Sequence, residues 1–555
     1  MSRRILRQFN GIRRLSSSTN IIKSPLRNIT VPNSRFLDHL WRKEAGFRDH
    51  IAIECAETKK NYTYKQLQKC SAIFATSLRK KLGLKENDVV AVLLPNGPEF
   101  PVVMCGTLQA GCILTSINPL YKEFEICHQA SNTKPKVVVT IPECYETLRK
   151  GLEAAKSNAK VVLVTNKEIP EDTIRYTEIA ETGEADFALL DKVEKKNDDI
   201  ALIPFSSGTT GLPKGVSITH GNLLAALEIM DVDETRYPML TNGSFQDVIP
   251  CILPFYHIYG MVITMFGHFV SGCKLVTLPK FTTGLYLDVL KNYQPAILYI
   301  VPPIAIFLGK HPDVKTEHFA KVRHVVCGAA PLAASDAVAV LEKGNANMEI
   351  NQGYGATETT SLFTSTIKNT RHIDYAACGV LMSNMELKIV DPISGKDLPA
   401  DQTGEICIRS PTVMKSYYKN EQATKECMTE DGFFRTGDLG NYNPNSGLFV
   451  SDRIKELIKV KGLQVAPAEL EGVLRTHPAV QEAAVIGVPH TFYGETPVAY
   501  VIKKSGLDTT PVELQSFVAE KVAPYKKLEE VVFVNDIPKT PSGKILRREL
   551  KKKYA

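Results

Sequence analysis

Runs of mainly apolar residues without polar alternation constrain this chain more than any other feature. They are Val89–Leu94, Val137–Thr140, Val161–Val164, Ala201–Phe205, Ile297–Val301 and Val322–Cys327. A strand with one wet face alternates apolar and polar side chains, whereas a strand covered on both faces need not. Helical patterns lie between several of the runs. One spans Leu67 to Leu82, after Asn61–Tyr64, with Gly83 as its stop. The expectation is an α/β fold of mostly parallel sheets covered by helices. From about Gly404 the pattern becomes β-rich, with strand-like Glu405–Arg409 and Leu448–Val450. The sequence has 555 residues, more than one core serves, since single cores stop growing near about 250–300 residues. A second unit begins near Asp452, with strand-like Ala483–Val488, Thr496–Lys503 and Glu530–Val534 around helix-like Pro511–Val522. The division expected is a leader at 1–37, a large N-terminal domain at 38–452 and a smaller, mobile α+β C-terminal domain at 453–555.

The net charge of +7 arises at one end. Residues 1–37 hold Arg3, Arg4, Arg7, Arg13, Arg14, Lys23, Arg27 and Arg35 and no acid; without them the charge is about −1. The body therefore has no basic excess to suggest nucleic acid as a partner. An Arg-rich, acid-poor leader with the run Ser16–Thr19, and with Ile5, Phe9 and Ile12 able to share a helical face, fits a mitochondrial transit peptide. A basic tail without fixed structure fits the same composition. The final Lys553–Tyr554–Ala555 is not a Ser-Lys-Leu type tripeptide. The 12 cysteines form no CxxC pair, which disfavours a zinc ribbon and suits buried thiols in a reducing compartment. The most apolar long stretch, Cys251–Cys273, is interrupted by Pro254, His257, Gly260, Gly267 and His268, so no transmembrane segment is expected.

The chemistry begins at Ser206, Ser207, Gly208, Thr209, Thr210, Gly211, Leu212, Pro213, Lys214 and Gly215, directly after the run Ala201–Phe205. Glycines allow a turn whose N–H groups point inward at phosphate oxygens; the hydroxyls add donors and Lys214 adds a charge. The spacing is neither the Walker pattern, because Pro213 stands where its second glycine belongs, nor GxGxxG. Composition alone also fits a flexible Ser/Thr/Gly surface loop.

Further strings follow in order. They are Leu253–Gly260, which contains His257 and Tyr259; Gly328-Ala329-Ala330-Pro331-Leu332; and Gln352-Gly353-Tyr354-Gly355-Ala356-Thr357-Glu358. Then come Phe433-Phe434-Arg435-Thr436-Gly437-Asp438, Asp452 to Lys459, Val460 to Glu471, and Ile537 to Arg548. Taken singly each has an ordinary reading: His257 as a core histidine, Gly328–Leu332 as a strand-to-helix turn, Lys455, Lys459 and Lys461 as a solvated basic strand, and Lys544 as a charge in a basic tail.

Together, and in this order, the strings resemble the adenylate-forming superfamily, which includes acyl-CoA synthetases, 4-coumarate–CoA ligases, firefly luciferase and peptide-synthetase adenylation domains. The resemblance runs over roughly residues 40–550 and is tightest to 4-coumarate–CoA ligases and luciferases at Val460–Glu471. It implies ATP-dependent activation of a small-molecule carboxylic acid as an acyl-adenylate, then transfer to coenzyme A, with a fatty or aromatic acid as substrate.

By that resemblance the 206–215 loop, Gln352, Gly353, Tyr354 and Thr357 serve the nucleotide, and Glu358 holds Mg²⁺, a hard cation that takes carboxylate oxygen beside phosphates. Ala356 stands where the family often has Met. Asp438 accepts from the two ribose hydroxyls, Arg453 contacts the nucleotide, and Lys455 is the hinge. His257, Tyr259, Ala329, Ala330 and Gly353 border the acyl pocket. Lys544 bridges the substrate carboxylate and the α-phosphate, offsetting repulsion between two anions. Lys459, Gln464, Lys461 and Gly462 serve the thioester step, and Lys280 meets coenzyme A phosphate. Two other second steps stay open: luciferase-like oxidation of the adenylate and loading onto a carrier protein. A non-catalytic scaffold is disfavoured by the intact loop, Glu358, Asp438 and Lys544.

Overall fold

The structure is a computed structural model. It describes residues 20–206, 212–360, 362–368, 370, 374–460, 463–491, 493–522, 524–540 and 543–554, without the side chains of 463 and 464. The chain is α/β with a large N-terminal and a small C-terminal domain. The apolar runs become the centres of two sheets. In one, Ile200–Leu202, Ile113–Ser116, Val89–Leu93, Val137–Thr140, Lys160–Leu163 and Thr173–Arg175 lie side by side, all parallel. Every residue of Val89–Leu93 is buried, as continuous apolarity requires of a strand covered on both faces. The expected strand Ala201–Phe205 divides into Ile200–Leu202 and Phe205–Ser206, and Lys214–Thr219 returns antiparallel against both.

In a second sheet Ile297–Ile300, His324–Cys327 and Glu349–Gly355 run parallel, extended by antiparallel Leu362–Ser365 and Val380–Leu381. A four-stranded sheet holds Val248–Cys251, Lys274–Thr277, Ile51–Cys55 and Asn61–Thr63. The β-rich section is an antiparallel sheet ordered Ile22–Lys23, Glu386–Val390, Gly404–Arg409, Phe434–Asn443 and Gly447–Arg453.

The helix expected from Leu67 begins at Tyr64 and runs to Lys80. Thr63 caps it: its hydroxyl accepts from the Gln66 N–H, and the Gln66 side chain accepts from the Thr63 N–H. Gly83 follows at φ +71°, the left-handed conformation that glycine adopts without a Cβ penalty. Part of the stretch Cys251–Cys273 forms a buried π-helix, Tyr259–Phe266. Among the described residues no helix is long and apolar enough to cross a membrane.

Residues 20–37, grouped with the leader on composition, belong to the large domain. Ile22 and Lys23 pair with Leu387 and Glu386, the Ser24 hydroxyl donates to the Leu381 carbonyl, and Ile29 and Asn384 exchange two hydrogen bonds. Residues 1–19 lie outside the described residues.

After Arg453 the turn Ile454–Glu456 leads into the C-terminal domain. Its sheet orders Leu463–Val465, Ile458–Val460, Gly494–Lys503 and Val480–His490, with Glu530–Phe533 parallel to Gly494–Lys503. Helices Pro467–Arg475 and Pro511–Ala519 cover it, and its core is separate from those of the large domain. Arg547, at the start of the last helix Arg547–Tyr554, bonds Glu471 (2.7 Å), Glu456 (3.1 Å) and the Val485 carbonyl (3.2 Å).

Candidate active site

One cavity of about 890 Å³ collects residues from both domains, from Ser116 to Glu549. The phosphate-loop string enters from strand Phe205–Ser206 and leaves on Lys214–Thr219, with Ser206 and Lys214 as register partners. Ser207, Gly208, Thr209, Thr210 and Gly211 lie outside the described residues, whereas Ser206 and Lys214 line the cavity.

Strand Glu349–Gly355 delivers the next string, and the turn Thr357–Thr359 lifts Thr357 and Glu358 into the wall. Gly353, Gly355 and Ala356 line it too. A Cβ on Gly353 would lie 2.7 Å from the end of the Leu362 side chain and 3.0 Å from the Thr364 carbonyl, so a larger residue there would have to push Leu362 aside. Gln352 is buried behind the strand, its side chain donating to the Tyr375 carbonyl at 2.5 Å. Tyr354 donates its hydroxyl to Asp438 at 2.6 Å. Burial, followed by the Asp438 charge, pushes the Tyr354 phenol well up, so it remains a donor.

Asp438 lies on strand Phe434–Asn443 and is nearly buried. Gly437 precedes it at φ +71°, and the Thr436 hydroxyl accepts from the Asp438 N–H (3.0 Å) while donating to the Ile406 carbonyl (2.8 Å). Arg453 lies 3.3 Å from the other Asp438 oxygen. Behind them Glu405 is buried, pairs with Arg435 at 2.5 Å and accepts from the Gly437 N–H.

Tyr256, His257, Ile258, Tyr259, Ile263, Gly328, Ala329 and Leu362 make the more apolar part of the lining. Gly260 lets this turn close, because a Cβ there would meet the Pro254 carbonyl oxygen at 2.2 Å. The Tyr259 hydroxyl donates to the Val326 carbonyl, and its ring lies 3.2 Å from where a Gly328 Cβ would stand. Ala329 holds φ +71°, a conformation costly for a residue with a Cβ, at the strand-to-helix turn. Ala330 follows outside the lining.

From the C-terminal domain, Lys539, Thr540, Lys544, Leu546 and Glu549 complete the cavity. The Lys544 N–H donates to the Thr540 hydroxyl and the Thr540 N–H donates to the Lys544 carbonyl; Gly543, at φ +80°, sits against Pro303. Burial, with repulsion by Arg453 second, lowers the Lys544 ammonium to about 8, and Asp438, Glu358 and Glu456 oppose the shift. Burial, with Lys544 second, lowers His257 to about 4, so its imidazole is neutral at pH 7.

Lys455 is exposed, lies in the turn Ile454–Glu456 and lines the cavity. Lys459 and Gln464 are register partners in the hairpin of Ile458–Val460 and Leu463–Val465, which lies outside the lining. Lys459 is exposed; Lys461 and Gly462 and the Gln464 side chain fall outside the described residues. Lys280 is exposed, just before helix Thr283–Tyr293, and does not reach the cavity.

Tyr417, Glu405 and Arg435 line the cavity without having been singled out from the sequence. Glu405 and Arg435 stand in Glu405–Arg409 and Phe433–Asp438, and their pairing across neighbouring strands is a signal that only strand register carries.

The comparisons with known proteins agree along the chain. A family model described as AMP-binding enzyme matches residues 40–418, and one described as AMP-binding enzyme C-terminal domain matches residues 469–544. The chain belongs to the AMP-binding enzyme family. Within the adenylate-forming superfamily it falls in the acyl-CoA synthetase branch. The 4-coumarate–CoA ligase 1 of Petroselinum crispum is 35% identical, covering 96% of this chain and 97% of that protein. The 4-coumarate:CoA ligase 1 of Petunia hybrida is 37% identical, with 96% and 97% covered. The crystal structure of ATP-bound MatB from Rhodopseudomonas palustris superposes with a TM-score of 0.83 at 27% identity, covering 94% of this chain and 99% of that one. This AMP-binding enzyme is an AMP-forming acid–CoA ligase whose substrates are ATP, coenzyme A and a small-molecule carboxylic acid.

Proposed function

We propose that the cavity forms the acyl-adenylate of a hydrophobic carboxylic acid, aromatic or fatty, in the arrangement described, and that thioester formation uses a second arrangement of the same chain. One observation carries this reading: the Lys544 ammonium, from the C-terminal domain, lines the same cavity as Asp438, Glu358, Thr357 and His257 of the N-terminal domain. A carboxylate resists attack by a thiol because it is anionic and lacks a good leaving group. In the proposed step its oxygen bonds to the α-phosphorus of ATP as the bond to pyrophosphate breaks.

Catalysis is then positioning and charge stabilisation. Asp438 and Tyr354 fix the nucleoside, Thr357 bonds the α-phosphate, and Ser206 and Lys214 face the departing pyrophosphate. Lys544, charged at pH 7, lies between the carboxylate and the α-phosphate and screens two anions from one another. Neutral His257 closes the acyl end as a hydrogen-bonding group. Glu358 is a single carboxylate beside the phosphate site, which fits Mg²⁺, an ion that takes one or two protein carboxylates and completes its shell from phosphates and water. Mg²⁺ would neutralise charge on the leaving pyrophosphate.

For the second step we infer rotation about Lys455 that withdraws Lys544 and brings in the hairpin carrying Lys459 and Gln464, with Lys461, Gly462 and Lys280 toward coenzyme A. The Arg-rich residues 1–19 are proposed as a mitochondrial targeting segment. The pairing of Ile22–Lys23 supports a folded domain that starts after it. A reporter carrying residues 1–37 that stays outside mitochondria would refute this.

The apolar lining by Ile258, Ile263 and Leu362 supports a hydrophobic acyl group over a short charged one, and the likeness to 4-coumarate–CoA ligases supports an aromatic one. The deciding experiment is AMP release with cinnamic-type, benzoic, medium-chain and long-chain acids, with and without coenzyme A. Release that requires both a hydrophobic acid and coenzyme A is expected. Release independent of coenzyme A would contradict the thioester step.

A further inference from the structure

Segment 414–418 is stitched to two separate parts of the site. The Met414 N–H donates to the Glu358 carbonyl at 2.8 Å, fastening the turn that carries Glu358. The Lys415 N–H donates to the Ser217 carbonyl and the Tyr418 N–H to the Gly215 carbonyl, so Ser416–Tyr417 adds a strand to Lys214–Thr219 with Tyr417 opposite Val216. The Glu358 turn needs such a fastening. Thr360, buried and β-branched, holds φ 60°, a conformation that persists only where its surroundings impose it. Its hydroxyl donates to the Thr412 carbonyl at 2.7 Å, two residues before Met414.

Tyr417 stands where the two attachments meet and itself lines the cavity. Its hydroxyl donates to Glu358 Oε1 at 3.0 Å, and the Lys214 ammonium lies 5.0 Å from its ring centroid. One half-buried side chain thus contacts a carboxylate suited to a cation and an ammonium suited to a phosphate. A hydrogen bond to a carboxylate oxygen fixes the rotation of the group and leaves the other oxygen for a ligand. An aromatic face attracts an ammonium and confines a flexible lysine.

We propose that Tyr417 is a further positioning residue of the adenylation step: its phenol sets the Glu358 carboxylate and its ring sets the Lys214 ammonium, so that one residue fixes the spacing between the metal and phosphate contacts. This rests on the reading of Glu358 and Lys214 given above.

The test is direct binding, with no turnover. Mn²⁺ is titrated by electron paramagnetic resonance into the full-length protein with α,β-methylene-ATP, and the analogue is titrated calorimetrically without metal. Tyr417→Phe removes the hydroxyl and keeps the ring; it should weaken Mn²⁺ about tenfold, as loss of a hydrogen bond to a charged group does, and leave metal-free nucleotide binding unchanged. Tyr417→Leu should in addition weaken metal-free binding about three- to fivefold, through loss of the cation–π contact. A purely structural tyrosine would not split the two affinities in this way. Glu358→Gln separates the two readings. If it weakens Mn²⁺ while Tyr417→Phe does not, the role of Tyr417 is overturned and Glu358 stands. If Glu358→Gln leaves Mn²⁺ unchanged, the metal reading fails and the inference falls with it.

Discussion

The two sides of the cavity are built on opposite principles. On the N-terminal side the carboxylates are held by residues distant in sequence, Asp438 by Tyr354 and Arg453 and Glu358 by Tyr417, and the Gly437 N–H by Glu405. On the C-terminal side the backbone of the Lys544 loop bonds to Thr540 of the same loop, and Gly543 faces Pro303, which a Cβ there would meet at 3.1 Å. A wall tied between elements keeps its geometry through a reaction. A loop closed on itself can leave the wall and keep its own shape. On the proposed reading, the difference assigns the nucleotide contacts to the part tied between elements and Lys544 to a part that withdraws as a unit.

The largest expected effect lies at the root of the loop. Arg547 ties the helix after Lys544 to the Glu471 helix, the Val485 strand and the Glu456 turn. Arg547→Ala would leave buried Glu471 without its cationic partner, with only the Val485 N–H among the described residues to hold it, and should destabilise the C-terminal domain by about 3–5 kcal/mol, read from urea melting followed in that domain. A loss below about 1 kcal/mol, the size of an exposed ion pair, would mean that the loop is anchored elsewhere. Next in size is the wall itself. Asp438→Ala removes two acceptors for the ribose and should lower kcat/KM for ATP about 10- to 100-fold. Because the wall serves both steps, it should slow coenzyme A transfer from supplied acyl-adenylate as well; an effect on one step alone would break the contrast.

The smallest effect is a pH limb. Lys544 acts as a cation and its free-enzyme value is about 8, so activity is present below that value and lost as pH rises through it. The kcat/KM of ATP–pyrophosphate exchange should fall about fivefold between pH 8 and 9 and approach tenfold per pH unit above that, the limb of a single essential proton. Lys544→Arg should move the limb beyond the measurable range, because a guanidinium keeps its proton.

Much of this was legible in the sequence, and unevenly so. Continuous apolar runs announce parallel strands because burial on both faces leaves a local trace, as at Val89–Leu93. Gly437–Asp438 and Lys544 stand in strings whose composition carries their chemistry. Tyr417 left no such trace, because its function comes from a hydrogen bond to a residue 59 positions away and from pairing with a strand roughly 200 positions away. The segment Ile22–Ile29 was grouped with the leader for the same reason: its basic residues are local, and its partners at 381–387 are not. Gln352 shares a string with Gly353 and Gly355, yet alternation along the strand puts its side chain on the other face, where it donates to the Tyr375 carbonyl.

The division of labour between wall and loop is tested most directly by measuring both half-reactions for Lys544→Ala and Lys459→Ala. Lys544→Ala should cut ATP–pyrophosphate exchange about 100- to 1,000-fold, the loss seen when one charge-stabilising donor is removed. It should leave coenzyme A transfer from supplied acyl-adenylate within about threefold of wild type, because an interaction made in one transition state is lost from that step alone. Lys459→Ala should do the reverse. Equal loss of both half-reactions in Lys544→Ala would contradict the account.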